Sequence, residues 1–128
     1  MIYLADTSVV LSSALNPNRL GPRTTRLIRD SNATYVSSVS IAEIFVKQML
    51  GKIELNSPIL ELVKTFRFKA MSFDVDMANE IEALPSLTGH DPFDRMIVAT
   101  ARAKGATLIT SDRHLLSLGF DWIIDSYK

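Results

Sequence analysis

The chain has no cysteine among its 128 residues. Disulfide bonds and thiolate zinc sites are therefore excluded, and the composition fits a reducing compartment. Long apolar runs are also lacking, because none approaches the roughly 20 residues of a membrane-spanning helix. The N-terminal stretch MIYLADTSVV has no basic lead and does not resemble a signal peptide. These absences predict a cytoplasmic protein with no membrane partner.

An excess of charge of either sign is missing as well. Fourteen basic residues balance fourteen acidic residues, which gives a formal net charge of +0. Sequence-independent nucleic-acid binding usually comes with a basic excess, so the overall charge does not favour it. A local patch is still compatible with this balance. Arg19, Arg23, Arg26 and Arg29 recur at near-helical spacing, and form either a solvated face or a phosphate-binding stripe.

Short segments rich in β-branched and apolar residues alternate with helical patterns along the chain. Five strands are predicted, at Ile2–Ala5, Thr34–Val36, Met71–Phe73, Thr107–Thr110 and Trp122–Ile124. Helices are predicted at 8–15, 24–30, 40–50, 57–69, 76–84 and 91–104, and Pro22 suits the first turn of the second helix. The alternation predicts an α/β fold around a parallel sheet, with residues 1–128 forming one domain.

Four acidic residues lie next to predicted strand ends or helix starts: Asp6, Glu43, Asp94 and Asp112. Two of them, Asp6 and Asp112, follow the first and fourth strands, at the sheet edge where α/β proteins bind ligands. Four carboxylates that converge there would repel one another unless a cation lies between them. Hard oxygen ligands without cysteine favour Mg²⁺ or Mn²⁺.

Each acid also has a purely structural interpretation. Ser40 with Glu43, and Asp91 with Asp94, are spaced as capping pairs at helix starts, and the other two acids could cap the helices that follow them. Capping does not explain why the acids would collect at one end of one sheet. Among neighbouring basic residues, only Arg95 and Arg113 are expected to be close enough to neutralise them.

Four stretches of the chain, in order, resemble PIN-domain ribonucleases, and in particular the VapC-like toxins of type II toxin–antitoxin systems. The stretches are LADTSV (4–9), SIAEIFVK (40–47), HDPFDRMIVATA (90–101) and LITSD (108–112). Each motif alone is common, whereas the ordered set over nearly the whole chain is specific. The resemblance implies a PIN-like three-layer α/β/α sandwich with a parallel sheet of about five strands.

The resemblance also implies a function, namely Mg²⁺- or Mn²⁺-dependent hydrolysis of RNA phosphodiester bonds by an endoribonuclease. The family's acidic quartet corresponds to Asp6, Glu43, Asp94 and Asp112, as catalytic residues and metal ligands. Glu43 is expected to orient or deprotonate the water, and Asp91 is either a further ligand or a helix cap. Hydroxyl groups beside the acids are expected to contact carboxylates, water or substrate: Thr7, Ser8, Thr110 and Ser111.

By the same resemblance, the expected partners are an RNA substrate, a cognate antitoxin protein and a second copy of the chain in a homodimer. The apolar residues Ile44, Phe45, Leu55 and Leu60 would serve these protein contacts or the core. Two histidines are assigned no catalytic role: His90 is expected to be structural and His114 to lie at the surface.

Other functions are compatible with parts of the sequence. A PIN-fold nuclease could act on DNA or structured RNA outside a toxin system. Alternatively, the acids are caps of a non-catalytic, acidic-pocket binding module. A phosphatase with Asp-x-Asp after its first strand is disfavoured, because Ser8 stands where the second acid is needed.

Overall fold

The computed structural model of the protein describes residues 1–31 and 34–128. Within them, five parallel strands form one sheet in the order β3-β2-β1-β4-β5. The strands are β1 (Tyr3–Ala5), β2 (Thr34–Ser37), β3 (Lys69–Met71), β4 (Thr107–Thr110) and β5 (Ile123–Asp125). This confirms the predicted α/β fold with a parallel sheet. Chain order reverses between β1 and β4, so the two segments that follow these strands diverge and leave a crevice.

In residues 1–31 and 34–128, seven α-helices connect and cover the strands. They are α1 (Thr7–Leu15), α2 (Pro22–Asp30), α3 (Ser38–Met49), α4 (Ile59–Thr65), α5 (Val75–Glu80), α6 (Pro92–Lys104) and α7 (Arg113–Ser117). Single 3₁₀ turns occur at Pro17–Arg19, Ile81–Ala83 and Pro85–Leu87. In the described part of the chain, no helix combines the length and the apolar character that crossing a membrane requires.

The core has two parts, one on each face of the sheet. Side chains alternate between faces along a strand, so Leu4 and Leu108 pack with Ile97 and Val98 of α6. The next residues, Ala5 and Ile109, face the other way. There they pack with buried residues of α1, α3 and α4, which are Val9, Val10, Ile44, Ile59, Leu62 and Val63. Helices on both faces make the three-layer sandwich that the resemblance implied.

Strand β3 and helix α4 differ from their predicted positions. Strand β3 covers Lys69–Met71 instead of Met71–Phe73, and its central Ala70 lies opposite Val36 of β2. By Phe73 the chain has left the sheet, and its backbone N–H donates to Ser38 Oγ at 3.0 Å. The predicted helix 57–69 is shorter, because α4 ends at Thr65 and Arg67 adopts φ 60°, in the left-handed region that terminates helices.

Helix α3 begins two residues earlier than predicted, at Ser38. Its N-cap is Ser37, whose Oγ accepts the Val39 N–H at 3.0 Å. The predicted capping pair of Ser40 and Glu43 is therefore wrong. Ser40 is fully buried in the first turn of α3, whereas Glu43 lies in the second turn and lines the cleft described below.

Candidate active site

A cleft of about 380 Å³ opens at the carboxyl ends of β1 and β4. Helices α1, α3 and α6 and the loop after β4 each contribute a wall. The lining residues are Asp6, Thr7, Ser8, Leu11, Glu43, Lys47, Asp91, Asp94, Ser111 and Asp112. All five acidic residues named from the sequence thus lie in one cleft, although they come from four distant stretches of the chain.

Asp6 lies at the base of this cleft, directly after β1, and is 5% exposed. Its backbone N–H donates to Ile109 O of β4 at 3.1 Å, which fixes the residue at the sheet edge. Its Oδ1 accepts the Val9 N–H at 3.1 Å and the Ser8 hydroxyl at 2.5 Å, so it also caps α1. Burial raises the pKa of the Asp6 carboxyl above its usual range, despite the hydrogen bonds that oppose this shift.

Two hydroxyl groups at the end of β4, those of Thr110 and Ser111, extend the hydrogen-bond network around Asp6. Thr110 donates its hydroxyl to Asp6 Oδ2 and accepts the Asp112 N–H at 3.0 Å. Ser111 and Ser8 are linked Oγ to Oγ at 3.0 Å. The network joins the ends of β1 and β4 and links the carboxylate of Asp6 to the backbone of Asp112 through the Thr110 hydroxyl.

Glu43 lies in the second turn of helix α3 and lines the cleft, and only 7% of it is exposed. Thr7 donates its hydroxyl to Glu43 Oε1 at 2.6 Å. Lys47, one helical turn later, places Nζ 3.0 Å from Oε2 of the same carboxylate. The expectation that only Arg95 and Arg113 come near the acids is therefore wrong. The i,i+4 spacing of Glu43 and Lys47 is the sequence signal that would have found this ion pair.

The opposite wall is the first turn of α6. Asp91 is its N-cap, and its Oδ1 accepts the N–H groups of Phe93 at 2.8 Å and Asp94 at 3.4 Å. Pro92 occupies the first helical position, where no N–H is required. Asp94 is thereby directed into the cleft. Partial burial, reinforced by the negative charges of Glu43, Asp91 and Asp112, raises the pKa of Asp94 to about 6.

His90, for which the sequence predicted a structural role, lies beside two acids of the cleft. Its Nε2 lies 3.1 Å from Asp94 Oδ2 and 3.6 Å from Asp112 Oδ2. This buried nitrogen is close to both carboxylates but is not aligned for a hydrogen bond. The ring is stacked on that of His114, with centroids 4.8 Å apart. His114 itself is exposed, as predicted.

The side chains present fit a divalent cation. One ligand atom each from His90, Asp94 and Asp112 lies within 4.8 Å of the other two. Cis ligands of an octahedral ion at 2.1 Å are about 3 Å apart, which is comparable with the separations of 3.1 and 3.6 Å at His90 Nε2. His90 Nε2 has no hydrogen-bond partner, and burial together with neighbouring negative charges raises the pKa of Asp94, so a cation among these groups would stabilise both.

The two arginines expected to neutralise the acids have other partners. Arg113 pairs with Asp125, at 2.7 and 3.0 Å. Arg95 directs Nη1 towards Thr88 O at 3.5 Å. Neither lines the cleft, so Lys47 is its one cationic lining residue among the residues that the structure describes.

The proposed arginine stripe does not form a single face. Arg19 lies in the 3₁₀ turn near the cleft side of α1, whereas Arg23 and Arg26 line a different concavity, near Met1 and Tyr3. Arg29 pairs with Asp30 at 2.8 Å. Of the four apolar residues considered for protein contacts, Ile44 is buried in the core, while Phe45 and Leu60 are 47% and 57% exposed.

Comparisons with known proteins agree with this geometry. A family model described as "PIN domain" matches residues 3–121. The chain is 29% identical over 116 residues to ribonuclease VapC22 of Mycobacterium tuberculosis (strain ATCC 25618 / H37Rv), covering 89% of each chain. It also resembles the structure of DNA-bound VapBC from Salmonella typhimurium, with a TM-score of 0.70 and 21% identity. It resembles the structure of VapBC2 from Rickettsia felis bound to a promoter DNA fragment, with a TM-score of 0.71 and 18% identity. Both structural matches cover 98% of each chain.

Proposed function

Because the chain belongs to the PIN-domain family, we propose that it is a metal-dependent endoribonuclease and the toxin of a VapBC-like pair. The observation that carries this proposal is the convergence of five carboxylates from four stretches in one cleft. Helix capping, which involves only three of the five acids, would not require that convergence. The likeness to a ribonuclease over 89% of the chain supports RNA as the substrate.

The metal ligands in this proposal are Asp6, Asp94 and Asp112, and the ion is Mg²⁺ or Mn²⁺. Bound there, such an ion lowers the pKa of a coordinated water and offsets charge that develops on the phosphoryl oxygens. His90 Nε2 is a further donor, since it lies within 3.6 Å of both neighbouring carboxylates. An imidazole ligand favours Mn²⁺ over Mg²⁺, which prefers oxygen.

Glu43 is the residue that we propose to orient the attacking water and accept its proton. Thr7 holds Oε1 at 2.6 Å, so the carboxylate has one fixed orientation in the cleft. The water oxygen then forms a bond to phosphorus while the bond from phosphorus to the leaving oxygen breaks. Lys47, 3.0 Å from Oε2, is placed to offset negative charge on the phosphate as it approaches.

The hydroxyl residues around the acids orient them in this proposal. Ser8 and Thr110 bind the two oxygens of Asp6, and Ser111 binds Ser8. Asp91 caps α6 through Oδ1, and we propose that its charge adds to the field of the site.

The remaining partners are also proposals. We propose a cognate antitoxin and a homodimer, supported by relatives whose structures are VapBC complexes. Exposed apolar side chains on α3, among them Phe45 and Met49, offer a surface for such contacts. RNA as substrate and the lack of cysteine support a cytoplasmic location.

The variant Asp6→Asn tests the proposed function. It removes charge and keeps shape, and the surrounding hydroxyls can accept as well as donate. We expect cleavage of RNA in Mn²⁺ to fall at least about 100-fold. Stability without metal should change by no more than about 1 kcal/mol, because burial of the carboxylate is already unfavourable.

The matched control is Asp121→Asn, which removes the same charge from an exposed residue outside the cleft. It should cleave RNA like the unmodified protein and keep the rise in melting temperature that Mn²⁺ produces. Undiminished cleavage by Asp6→Asn, in a preparation free of other nucleases, would overturn the proposal.

A further inference from the structure

A second groove of about 220 Å³ continues directly from the acidic cleft. The two concavities share three lining residues, Ser8, Leu11 and Ser111. Beyond them the groove runs along α1 and is closed by Asn16, Arg19 and Tyr127. A polymer chain whose phosphate lies at the acids would therefore have a path along this side of α1.

The groove has a preorganised aromatic surface at its far wall. The two terminal nitrogens of Arg113 donate to the two carboxylate oxygens of Asp125 at 2.7 and 3.0 Å, and its Nε donates to Ser111 O at 3.1 Å. Asp125 Oδ1 in turn accepts the Tyr127 N–H at 2.9 Å. The Arg113 guanidinium lies 5.0 Å from the centroid of the Tyr127 ring. The ring is thus fixed in place while 49% of the residue remains exposed.

These features match the requirements of single-stranded RNA. A half-exposed ring offers a platform for one base, whatever its sequence, and stacking contributes about 1–3 kcal/mol per base. A guanidinium in the same groove offers a partner for the adjoining phosphate. Arg19 is exposed and provides it. A paired base is already stacked in its duplex and could not use the platform.

We infer that the groove bounded by Tyr127 and Arg19 is a subsite for one unpaired nucleotide next to the scissile phosphate. The inference rests on the proposed function, which supplies RNA as the polymer and the acidic cleft as the point of cleavage. It adds that the substrate is single-stranded on at least this side of the cleaved bond, and that one stacked base positions the strand.

The test is base stacking measured directly. The probes are 12-nucleotide RNAs of mixed sequence, each with 2-aminopurine at one position, whose fluorescence is quenched when the base stacks. Binding is measured in Ca²⁺, and gel electrophoresis verifies that the RNA is intact. The unmodified protein should quench at one or two positions only, and should not quench the same RNA annealed to its complement.

Four substitutions locate the effect. Tyr127→Phe keeps the ring and should keep the quenching, whereas Tyr127→Leu should lose it and bind about 5- to 150-fold more weakly. Arg19→Ala should weaken binding and lower the slope of log affinity against log salt by about 0.7. Arg26→Ala, which removes the same charge outside the groove, should do neither.

Quenching and affinity that are unchanged in Tyr127→Leu, or an Arg19→Ala variant that binds like Arg26→Ala, would overturn the inference. Because Arg19 is exposed, its substitution tests the groove even if Tyr127→Leu does not fold. Failure of the proposed function is recognised separately, because the unmodified protein would then not cleave RNA in Mn²⁺, whatever the fluorescence shows.

Discussion

At the scale of single residues, the acids have two roles that the sequence presented as alternatives. Asp6, Asp91 and Asp112 each accept backbone N–H groups at the start of a helix, as the capping interpretation predicted. All three also line the cleft. A helix N-terminus favours a carboxylate through its unpaired N–H groups and its dipole. Capping therefore reduces the free-energy cost of bringing several carboxylates together, so the capping role and the role in the cleft are compatible.

Lys47 provides a prediction about the balance of charge in the cleft. Lys47→Met keeps the aliphatic stem and removes the ammonium 3.0 Å from Glu43. Because Lys47 is 37% exposed, solvent screens the pair, and we expect a loss of about 0.5–1 kcal/mol in urea unfolding. Saturating Mn²⁺ should reduce this loss, since the ion offsets the same negative charge.

The matched control is Lys64→Met, on the exposed face of α4. It should leave stability unchanged, with or without metal. An equal loss for Lys47→Met in the presence and absence of Mn²⁺ would show that Glu43 does not sense the metal site.

Asp94 provides the prediction about pH. Its pKa of about 6 lies above the usual value for an aspartate, so between these two values the folded protein binds a proton that the unfolded chain has released. Without metal, stability should therefore fall as pH rises from about 4 to 6. Ligation requires the carboxylate, so Mn²⁺ affinity should rise about tenfold per pH unit below 6 and level off above it.

Calorimetric titrations with Mn²⁺ at pH 5, 6 and 7 measure this dependence. In Asp94→Asn, affinity should be lower at pH 7 and the rise between pH 5 and 6 should be smaller. A steep rise that continues from pH 6 to 7 in the unmodified protein would contradict the assigned pKa.

At the scale of elements, the sequence predicted the number of strands and a parallel sheet, but not all of the strand bounds. The strand positions that rest on apolar and β-branched runs, β1, β2 and β4, agree within one residue. Strand β3 does not, because its residues are mostly exposed at the sheet edge and carry no periodic signal. Helix α3 was misplaced because several serines compete for the N-cap, and the tertiary structure selects Ser37.

Gly21 provides a prediction about how two elements meet. It is the N-cap of α2 and has no side chain that could accept hydrogen bonds from the first N–H groups of the helix. Lys128 O accepts the N–H groups of Arg23 and Thr24 instead, at 2.9 and 3.2 Å. A Cβ on Gly21 would lie 2.2 Å from that same oxygen. Gly21→Ala should therefore displace residues 126–128 and cost about 1–3 kcal/mol.

Gly89→Ala is the control, because a Cβ at Gly89 meets nothing within 4 Å. Urea unfolding should separate the two variants. Gly21→Ala should also weaken RNA binding, since Tyr127 is displaced with the C-terminal residues. Equal stability of the two variants would show that this packing is not tight in solution.

At the scale of the whole molecule, the sequence predicted which acids lie together but not the groove that extends from their cleft. Motif order and strand ends were sufficient for Asp6, Asp94 and Asp112, because parallel strands bring their carboxyl ends to one edge. The groove ending at Tyr127 could not be predicted. It depends on how the segment after β5 packs beside Arg113, and no local pattern encodes such a contact.

The distribution of charge over the molecule yields the last prediction. Net charge is +0, yet the cleft has five carboxylates against one ammonium, Lys47, in the described parts of the chain. RNA should therefore be repelled from the cleft without metal, and the unmodified protein should bind a 12-nucleotide RNA at least about tenfold more weakly in EDTA than in Ca²⁺. The double variant Asp94→Asn, Asp112→Asn should bind RNA in EDTA more tightly than the unmodified protein does, although it cannot cleave.

Fluorescence anisotropy measures both affinities. Equal binding by the unmodified protein in EDTA and in Ca²⁺ would show that RNA is held elsewhere, and that the acidic cleft does not contact the phosphate.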